Sequence, residues 1–80
     1  ISVDDASAPG NLLLLNKTSH NLVDGINFAS VTSGNTAFKN HANFNGDDGI
    51  EDLDTNTCPK GGAPNKNHTK HNVHKNIVGC

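Results

Sequence analysis

One phrase of the sequence, residues 11–26, occurs again as residues 35–50, and this repeat constrains the fold more than any other feature. Six of the twenty-four positions in the interval are identical without a gap, in the order N-x4-N-x4-N-x2-D-G-I. The chain opens in the same phase, because residues 1–3 match residues 26–28. The identical pairs are Asn11/Asn35, Asn16/Asn40, Asn21/Asn45, Asp24/Asp48, Gly25/Gly49 and Ile26/Ile50.

A third, partial copy of the repeat begins at Asn67 and Asn72, displaced by 32 residues from Asn35 and Asn40. The eight extra residues predict a loop insertion around residues 58–64, since glycine and proline are frequent in loops. The repeat therefore predicts a single domain over residues 1–80. Its parts are a first coil at 1–34, a second coil at 35–57, an insertion at 58–66 and a last coil at 67–80.

The spacing of the apolar residues predicts strands. These residues occur in short bursts such as 12–15, and none continues at the i, i+3, i+4, i+7 spacing of a helix. An extended residue rises about 3.3 Å, so one repeat interval has a contour of roughly 80 Å, enough for three short strands and three corners. We therefore expect an all-β stack of coils. On one strand either Leu13 with Ala37 or Leu14 with Phe38 would face inward, and the sequence leaves this choice open.

Asparagine makes up 13 of the 80 residues. Such a composition is compatible with disorder, but the repeated positions of the asparagines favour order. Stacked coils would place Asn over Asn, so that each side-chain amide donates to one neighbour and accepts from the other. Asn also tolerates the left-handed backbone of tight corners, and Gly25 and Gly49 are expected at another corner. The predicted ladder residues are Asn11, Asn16, Asn21, Asn35, Asn40, Asn45, Asn67 and Asn72.

The repeated N-x4-N-x4-N-x2-D-G-I phrase resembles the right-handed parallel β-helix of the pectate-lyase-like superfamily. It is most similar to the Asn-rich repeat proteins that bacteria secrete or hold in the periplasm. Residues 61–67 and 79–80 resemble the C-terminal end of such proteins. The resemblance implies a solenoid of about three coils that is secreted. The family includes pectin-degrading lyases and hydrolases, epimerases, phage tailspikes and adhesins.

The two cysteines lie late in the chain, Cys58 in the insertion and Cys80 at the last position. A disulfide between them would close a loop of about 23 residues and stabilise the fold by roughly 3.4 kcal/mol in the chain-entropy model. The alternative is a pair of free thiols. A disulfide would fasten the last coil and would indicate an oxidising, extracellular compartment.

A cluster of acidic residues follows the second Asn triplet and is the strongest candidate for a chemical site. Clustered carboxylates at a corner can bind Ca²⁺, and Asp47, Asp52 and Asp54 would then be the ligands. The spacing is not that of an EF-hand loop. Asp48 repeats Asp24, which favours a corner-forming role as the alternative. No other cofactor is expected.

Three histidines, His68, His71 and His74, follow at intervals of three positions. In a strand this spacing places neighbours on opposite faces. We therefore expect solvent-exposed side chains, with a zinc or copper site as the alternative.

The charged residues argue against several function classes. The chain has no arginine and a net charge of −2, so it lacks the basic footprint of a nucleic-acid-binding protein. Its longest apolar run, residues 12–15, is far below the roughly 20 residues of a membrane span. Lyases of the family commonly present Arg or Lys beside calcium-binding carboxylates, whereas the six lysines here are scattered. No catalytic residue is assigned, and enzymatic activity is not expected.

Open ends of a β stack present unpaired N–H and C=O groups that invite another chain. The leading hypothesis is therefore a secreted structural or adhesive module that associates end to end into an oligomer or filament. The alternative is a C-terminal fragment of a larger carbohydrate-binding or polysaccharide-processing β-helix protein. A glycan-binding face needs exposed aromatic rings, and the chain offers only Phe28, Phe38 and Phe44, at least one of which is expected in the core.

Overall fold

The computed structural model describes residues 1–4, 10–30, 32–60 and 63–80. Regular structure in these ranges is entirely β, and no helix in them is long and apolar enough to cross a membrane. The strands are β1 Ser2–Val3, β2 Leu12–Leu14, β3 Lys17–Ser19, β4 Ile26–Phe28, β5 Ser33–Phe38, β6 His41–Asn43, β7 Ile50–Asp52, β8 Thr55–Thr57, β9 His68–Lys70 and β10 Ile77–Val78.

The ten strands form three sheets in which every pairing is parallel. The sheet orders are β1-β4-β7-β10, β2-β5-β8 and β3-β6-β9, so every third strand returns to the same sheet. One pass through the three sheets is called a coil below: β1–β3 form the first coil, β4–β6 the second and β7–β9 the third. The all-β prediction is confirmed, and the parallel stacking is compatible with a β-helix.

The first two coils stack in the register that the repeat predicts. Leu13 pairs with Ala37 and Thr18 with Ala42, each residue with the one 24 positions later in the next copy of the repeat. The opening residues also lie in phase, because Val3 pairs with Phe28. Repeated residues therefore lie directly above one another, which is why the period is visible in the sequence.

The third coil begins in the predicted register, because Ile50 of β7 pairs with Ile26 of β4, but after β7 its register differs from the predicted one. The displacement expected from sequence would place Asn67 over Asn35, but Asn67 lies over Asn40, at an interval of 27 residues. Asn56 takes the place over Asn35, at an interval of only 21 residues. The interval from Asn35 to Asn56 is therefore shorter than the repeat, and the interval from Asn40 to Asn67 is longer. The insertion adds six residues to the interval, which rises from 21 to 27, and not eight.

The core is a narrow column of side chains, whose buried apolar residues come mainly from β4, β5, β6 and β7. Ala37 is fully buried and its partner Leu13 packs against the core, whereas Leu14 is 44% exposed. The inward pair is therefore Leu13 and Ala37. Phe28 is the aromatic residue of the core. The buried apolar residues are Ile26, Phe28, Ala37, Ala42, Ile50 and Cys58.

Gly25 and Gly49 lie at bends, as expected from the sequence, and close contacts with neighbouring residues leave no room there for a side chain. Neither has a positive φ. A Cβ atom on Gly25 would lie 2.6 Å from Thr18 Oγ1, and one on Gly49 would lie 2.6 Å from Asn72 Nδ2. A side chain at either position would push neighbouring coils apart.

The left-handed corner positions belong mainly to the residues that precede the ladder asparagines. The ladder asparagine itself is committed to the stack, because its backbone N–H also donates to the next coil, as in Asn16 to Asn40 Oδ1 at 2.9 Å. The residue before the ladder asparagine therefore adopts the left-handed conformation that turns the chain. The expectation that the ladder asparagines themselves adopt it was wrong. The non-glycine residues with positive φ are Leu15, His20, Lys39, Phe44, Asn65 and His71.

Thr18 carries a buried hydroxyl that has no hydrogen-bond partner within the described residues. Its side chain is 7% exposed and occupies the same column as Ala42. A buried unsatisfied polar group costs about 1–3 kcal/mol. We expect Thr18→Val, which keeps the shape, to raise the free energy of unfolding by about 1 kcal/mol in urea titrations. Thr57→Val, at an exposed site, is the matched control, and a destabilised Thr18→Val would contradict the assignment.

Candidate functional site

Three columns of asparagine run through the stack. In the middle column the backbone N–H and Nδ2 of Asn16 both donate to Asn40 Oδ1, at 2.9 and 3.0 Å. The same two groups of Asn40 both donate to Asn67 Oδ1, at 3.0 Å. Each side-chain oxygen thus receives two hydrogen bonds from the coil before it, which fixes the register of one coil on the next.

The other two columns repeat this geometry. Donor-to-oxygen distances lie between 2.9 and 3.2 Å throughout. All eight asparagines of the predicted ladder lie in the three columns. The ninth member, Asn56, was missed because the third coil breaks the repeat interval. The outer columns are Asn11–Asn35–Asn56 and Asn21–Asn45–Asn72.

The columns have a direction. The asparagines of the first two coils donate toward the third coil. Nδ2 of Asn40 and Asn45 also donates backward to a main-chain carbonyl of the first coil, as from Asn40 to Leu13 O at 2.8 Å. Asn35, Asn40 and Asn45 are at most 1% exposed, so their amides would be costly without these partners. The first coil therefore presents acceptors at its outer side, and the third coil would present donors.

The donors of the third coil are bound by the chain itself. Asp52 Oδ2 accepts the backbone N–H of Asn56 at 3.1 Å, and Asp52 Oδ1 accepts its Nδ2 at 2.7 Å. Each of these acceptors takes a hydrogen bond that the next asparagine of a column would otherwise accept. The terminating pairs are Asn56 with Asp52, Asn67 with Pro59 O and Asn72 with Asn76 Oδ1.

The cysteines lie at the same end as these terminating contacts. The Cys58 and Cys80 sulfurs are at disulfide distance, with Cα atoms 5.5 Å apart, as the pairing predicted from sequence requires. Cys58 is 2% exposed and belongs to the core. The bridge ties the start of the insertion to the segment after β10, directly beside Pro59, which accepts from Asn67.

The outer side of the first coil is an open β edge. Strands β1, β2 and β3 each pair with only one neighbour in the described residues. Val3 and Leu13 of this coil are half-buried, and Leu12 is 57% exposed. Within the described ranges no group donates to the Oδ1 atoms of Asn16 and Asn21. The surface, which we call the first-coil edge, thus combines apolar side chains with unused acceptors.

The acidic run meets a histidine between the second and third coils. Asp48 is 2% exposed; its N–H donates to Asp24 Oδ1 at 3.0 Å and its Oδ1 accepts the N–H of Lys75 at 2.8 Å. His74 Nδ1 lies 3.0 Å from Asp48 Oδ1 and 3.3 Å from Asp47 Oδ1. In the described part of the chain these three residues are the one group of potential metal ligands.

The other two expected calcium ligands lie elsewhere. Asp52 is the last residue of β7 and Asp54 lies in the bend after it, where Asp52 Oδ1 accepts the N–H of Asp54 at 3.1 Å. Asp52 is also occupied by Asn56. The structure therefore brings Asp47 together with Asp48 and His74, and not with Asp52 and Asp54.

The exposed aromatic rings lie in two stacks along the third sheet. Phe44 lies between His20 and His71, with ring centroids 5.6 and 5.0 Å apart, and His41 stacks on His68 at 4.7 Å. Phe44 is 53% exposed, but both faces of its ring are covered. Phe44 therefore offers no free ring face on which a sugar could lie.

Negative charge accumulates at the corner formed by Asp24, Asp47 and Asp48, and it affects the pKa of Glu51. Burial raises the pKa of Glu51 above its ordinary value of 4.5, and the carboxylates of Asp24, Asp48 and Asp47 raise this pKa further. A hydrogen bond from Asn27 Nδ2 at 2.6 Å opposes the shift. Ionised Glu51 is thus less favourable in the folded chain than in the unfolded one.

The variant Glu51→Gln, which mimics the protonated side chain, tests whether ionised Glu51 destabilises the folded chain. A carboxyl whose pKa rises on folding binds its proton more tightly when folded, so stability falls as the pH rises from 4.5 through the raised pKa. We expect the variant to melt above the wild type at neutral pH and to match it below pH 4.5. Asp54→Asn, which removes a charge from the exposed turn, is the control. A lower melting temperature of Glu51→Gln at neutral pH would contradict the expectation.

No protein-family model, curated protein or solved structure matches this chain. Its function must therefore be inferred from the geometry of the columns, the two ends of the stack and the acidic corner.

Proposed function

We propose that this chain is a secreted, non-enzymatic structural module, built as a right-handed parallel β-helix like that of the Asn-rich proteins in the pectate-lyase-like superfamily. In this proposal it acts by pairing its first-coil edge with the same edge of a second copy. The observation that carries the proposal is that, among the described residues, strands β1, β2 and β3 are unpaired on their outer side, whereas the donors at the other end of the stack are already occupied. The Cys58–Cys80 pair supports an oxidising compartment.

The occupied donors favour a closed dimer over a filament. Head-to-tail stacking would have to break the contacts of Asn56 with Asp52 and of Asn67 with Pro59 before new bonds could form. Two first-coil edges related by a twofold axis lose no such contacts. Their strands can pair in antiparallel fashion, because an edge strand carries both free N–H and free C=O groups. Leu12 and Leu14, 57% and 44% exposed, would be covered at the same time.

Native mass, measured by light scattering, tests the proposal. We expect the wild type at twice its chain mass of 8.4 kDa. Leu12→Lys with Leu14→Lys should give the monomer, since lysine on an edge strand opposes pairing. Val73→Lys makes a similar change at a residue of the third coil that is 78% exposed, and it should remain dimeric. A monomeric wild type, or a dimer that survives the edge lysines, would overturn the proposal.

A second candidate keeps the fold and changes the partner. Asn40 Oδ1 receives two donors from Asn16, and the Oδ1 atoms of Asn16 and Asn21 would suit an equivalent preceding coil. This favours a terminal piece of a longer carbohydrate-binding or polysaccharide-processing β-helix. A monomeric wild type whose stability rises when an Asn-bearing coil is fused ahead of Ile1 would support this candidate over self-association.

A further inference from the structure

The group of Asp47, Asp48 and His74 is positioned by hydrogen bonds between the second and third coils. The backbone N–H of His74 donates to Asp47 O at 3.0 Å, and that of Lys75 donates to Asp48 Oδ1 at 2.8 Å. Asp48 is also almost fully buried, at 2% exposure. The three side chains therefore converge because of the coil register and do not depend on a chance arrangement of surface residues.

The distances within this group suit a small metal ion. His74 Nδ1 lies 3.0 Å from Asp48 Oδ1 and 3.3 Å from Asp47 Oδ1. Nitrogen and oxygen ligands lie about 2.0–2.1 Å from Zn²⁺, so two of them in a tetrahedral site are roughly 3.3 Å apart. The two distances from His74 match this value, and all three ligand atoms lie within 4.8 Å of one another.

We propose that Asp47, Asp48 and His74 bind a divalent transition-metal ion such as Zn²⁺, through Nδ1 and one oxygen of each carboxylate. The fourth position is open to water or another ligand. An imidazole ligand favours zinc, copper or nickel, whereas Ca²⁺ takes six to eight oxygens. The proposed ion therefore differs from the calcium expected from sequence, and its ligands share only Asp47 with that set.

His74 Nδ1 cannot donate a hydrogen bond to both carboxylates at once. Nδ1 can donate one hydrogen, yet it faces two carboxylate oxygens. Among the described residues no lysine lies within ion-pair distance of either carboxylate, and the chain has no arginine. A metal ion would supply the missing positive charge to both aspartates at once. The N–H of Lys75 on Asp48 Oδ1 would orient that ligand, as outer hydrogen bonds commonly do.

Among the residues that the structure describes, the site occurs once in the stack. Asp47 lies over Val23 of the first coil and under His74 of the third, as the backbone bonds from Asp47 N–H to Val23 O and from His74 N–H to Asp47 O show. The corresponding place between the first two coils therefore has valine where a ligand is needed. An ion at Asp47, Asp48 and His74 would tie the third coil to the second.

Calorimetric titration of the disulfide-bonded protein with ZnCl₂ tests the proposal. We expect one ion per chain and at least a tenfold loss of affinity in His74→Gln and in Asp47→Asn. His68→Gln, which removes an exposed imidazole stacked on His41, is the control and should bind like the wild type. Zinc should also raise the melting temperature of the wild type but not of His74→Gln.

Several results would overturn the site. They are no zinc binding by the wild type, unchanged affinity in both His74→Gln and Asp47→Asn, or tighter binding of Ca²⁺ than of Zn²⁺. Asp47 is half-exposed, so Asp47→Asn keeps the test valid even if His74→Gln folds poorly. The outcome does not depend on whether the chain is a dimer, because all three ligands come from one chain.

Discussion

Asn40→Asp is expected to prevent the chain from folding at neutral pH. Asn40 is fully buried, and its Nδ2 donates to Leu13 O at 2.8 Å and to Asn67 Oδ1 at 3.0 Å. Aspartate would place a carboxylate oxygen against these two acceptors and would bury an unpaired charge. The combined cost is on the order of 5 kcal/mol or more, comparable to the whole stability of a small domain. Far-UV circular dichroism and urea titration measure the effect.

Asn65→Asp is the matched control for this substitution. Asn65 is exposed and has a left-handed backbone at φ 59°, which aspartate also tolerates. The control should therefore unfold at nearly the same urea concentration as the wild type. If Asn40→Asp were as stable as Asn65→Asp, the asparagine columns could not be what holds the coils together.

Reduction of the disulfide is expected to have the second large effect. The Cys58–Cys80 bridge closes a loop with a sequence separation of 22 residues and thereby restricts the unfolded chain. The chain-entropy model gives a loss of about 3.4 kcal/mol when such a bridge opens. The third coil should be affected most, because Pro59, which accepts from Asn67, lies next to Cys58. Urea titration with and without dithiothreitol gives the change in the free energy of unfolding.

The double variant Cys58→Ala with Cys80→Ala is the control for reduction. It should resemble the reduced wild type and should not respond to dithiothreitol. Cys58 is a core side chain, so the variant also loses some packing, and the comparison therefore rests on the response to the reductant. A wild-type midpoint that dithiothreitol does not change would show that the bridge contributes nothing to stability.

The sequence predicts the first two coils well because their repeat has no gap. A constant interval of 24 residues places Asn16 on Asn40 and Leu13 on Ala37, and the structure contains both pairs. The asparagines are informative for a physical reason. A buried amide needs partners on both sides, and a stack of identical coils supplies the same partner at every level.

The third coil could not be placed from the repeat alone. Two changes of length, one before Asn56 and one after it, alter the interval from 24 to 21 and then to 27 residues. Loops tolerate such changes at little energetic cost, so they leave no regular signal in the sequence. Asn67 was consequently assigned to the wrong column, and Asn56 was missed.

The acidic cluster was recognised in the sequence, but the grouping of Asp47 and Asp48 with His74 was not predicted, for the same reason. Asp47 and His74 are neighbours only in the longer interval that relates the third coil to the second, which the sequence did not reveal. The spacing among the three histidines gave no hint, since His74 meets its partners across coils and not along its own strand. Once the register is known, the juxtaposition follows directly.

Hydrogen exchange of the asparagine side-chain amides, followed by NMR, tests most directly whether the asparagine columns hold the coils together. The Nδ2 protons of Asn35, Asn40, Asn45 and Asn67 should exchange far more slowly than those of the exposed Asn65, because each of these four amides is buried and donates within a column or to a main-chain carbonyl. Exchange of all side-chain amides at the same solvent-limited rate would contradict the ladder and the stacking built on it.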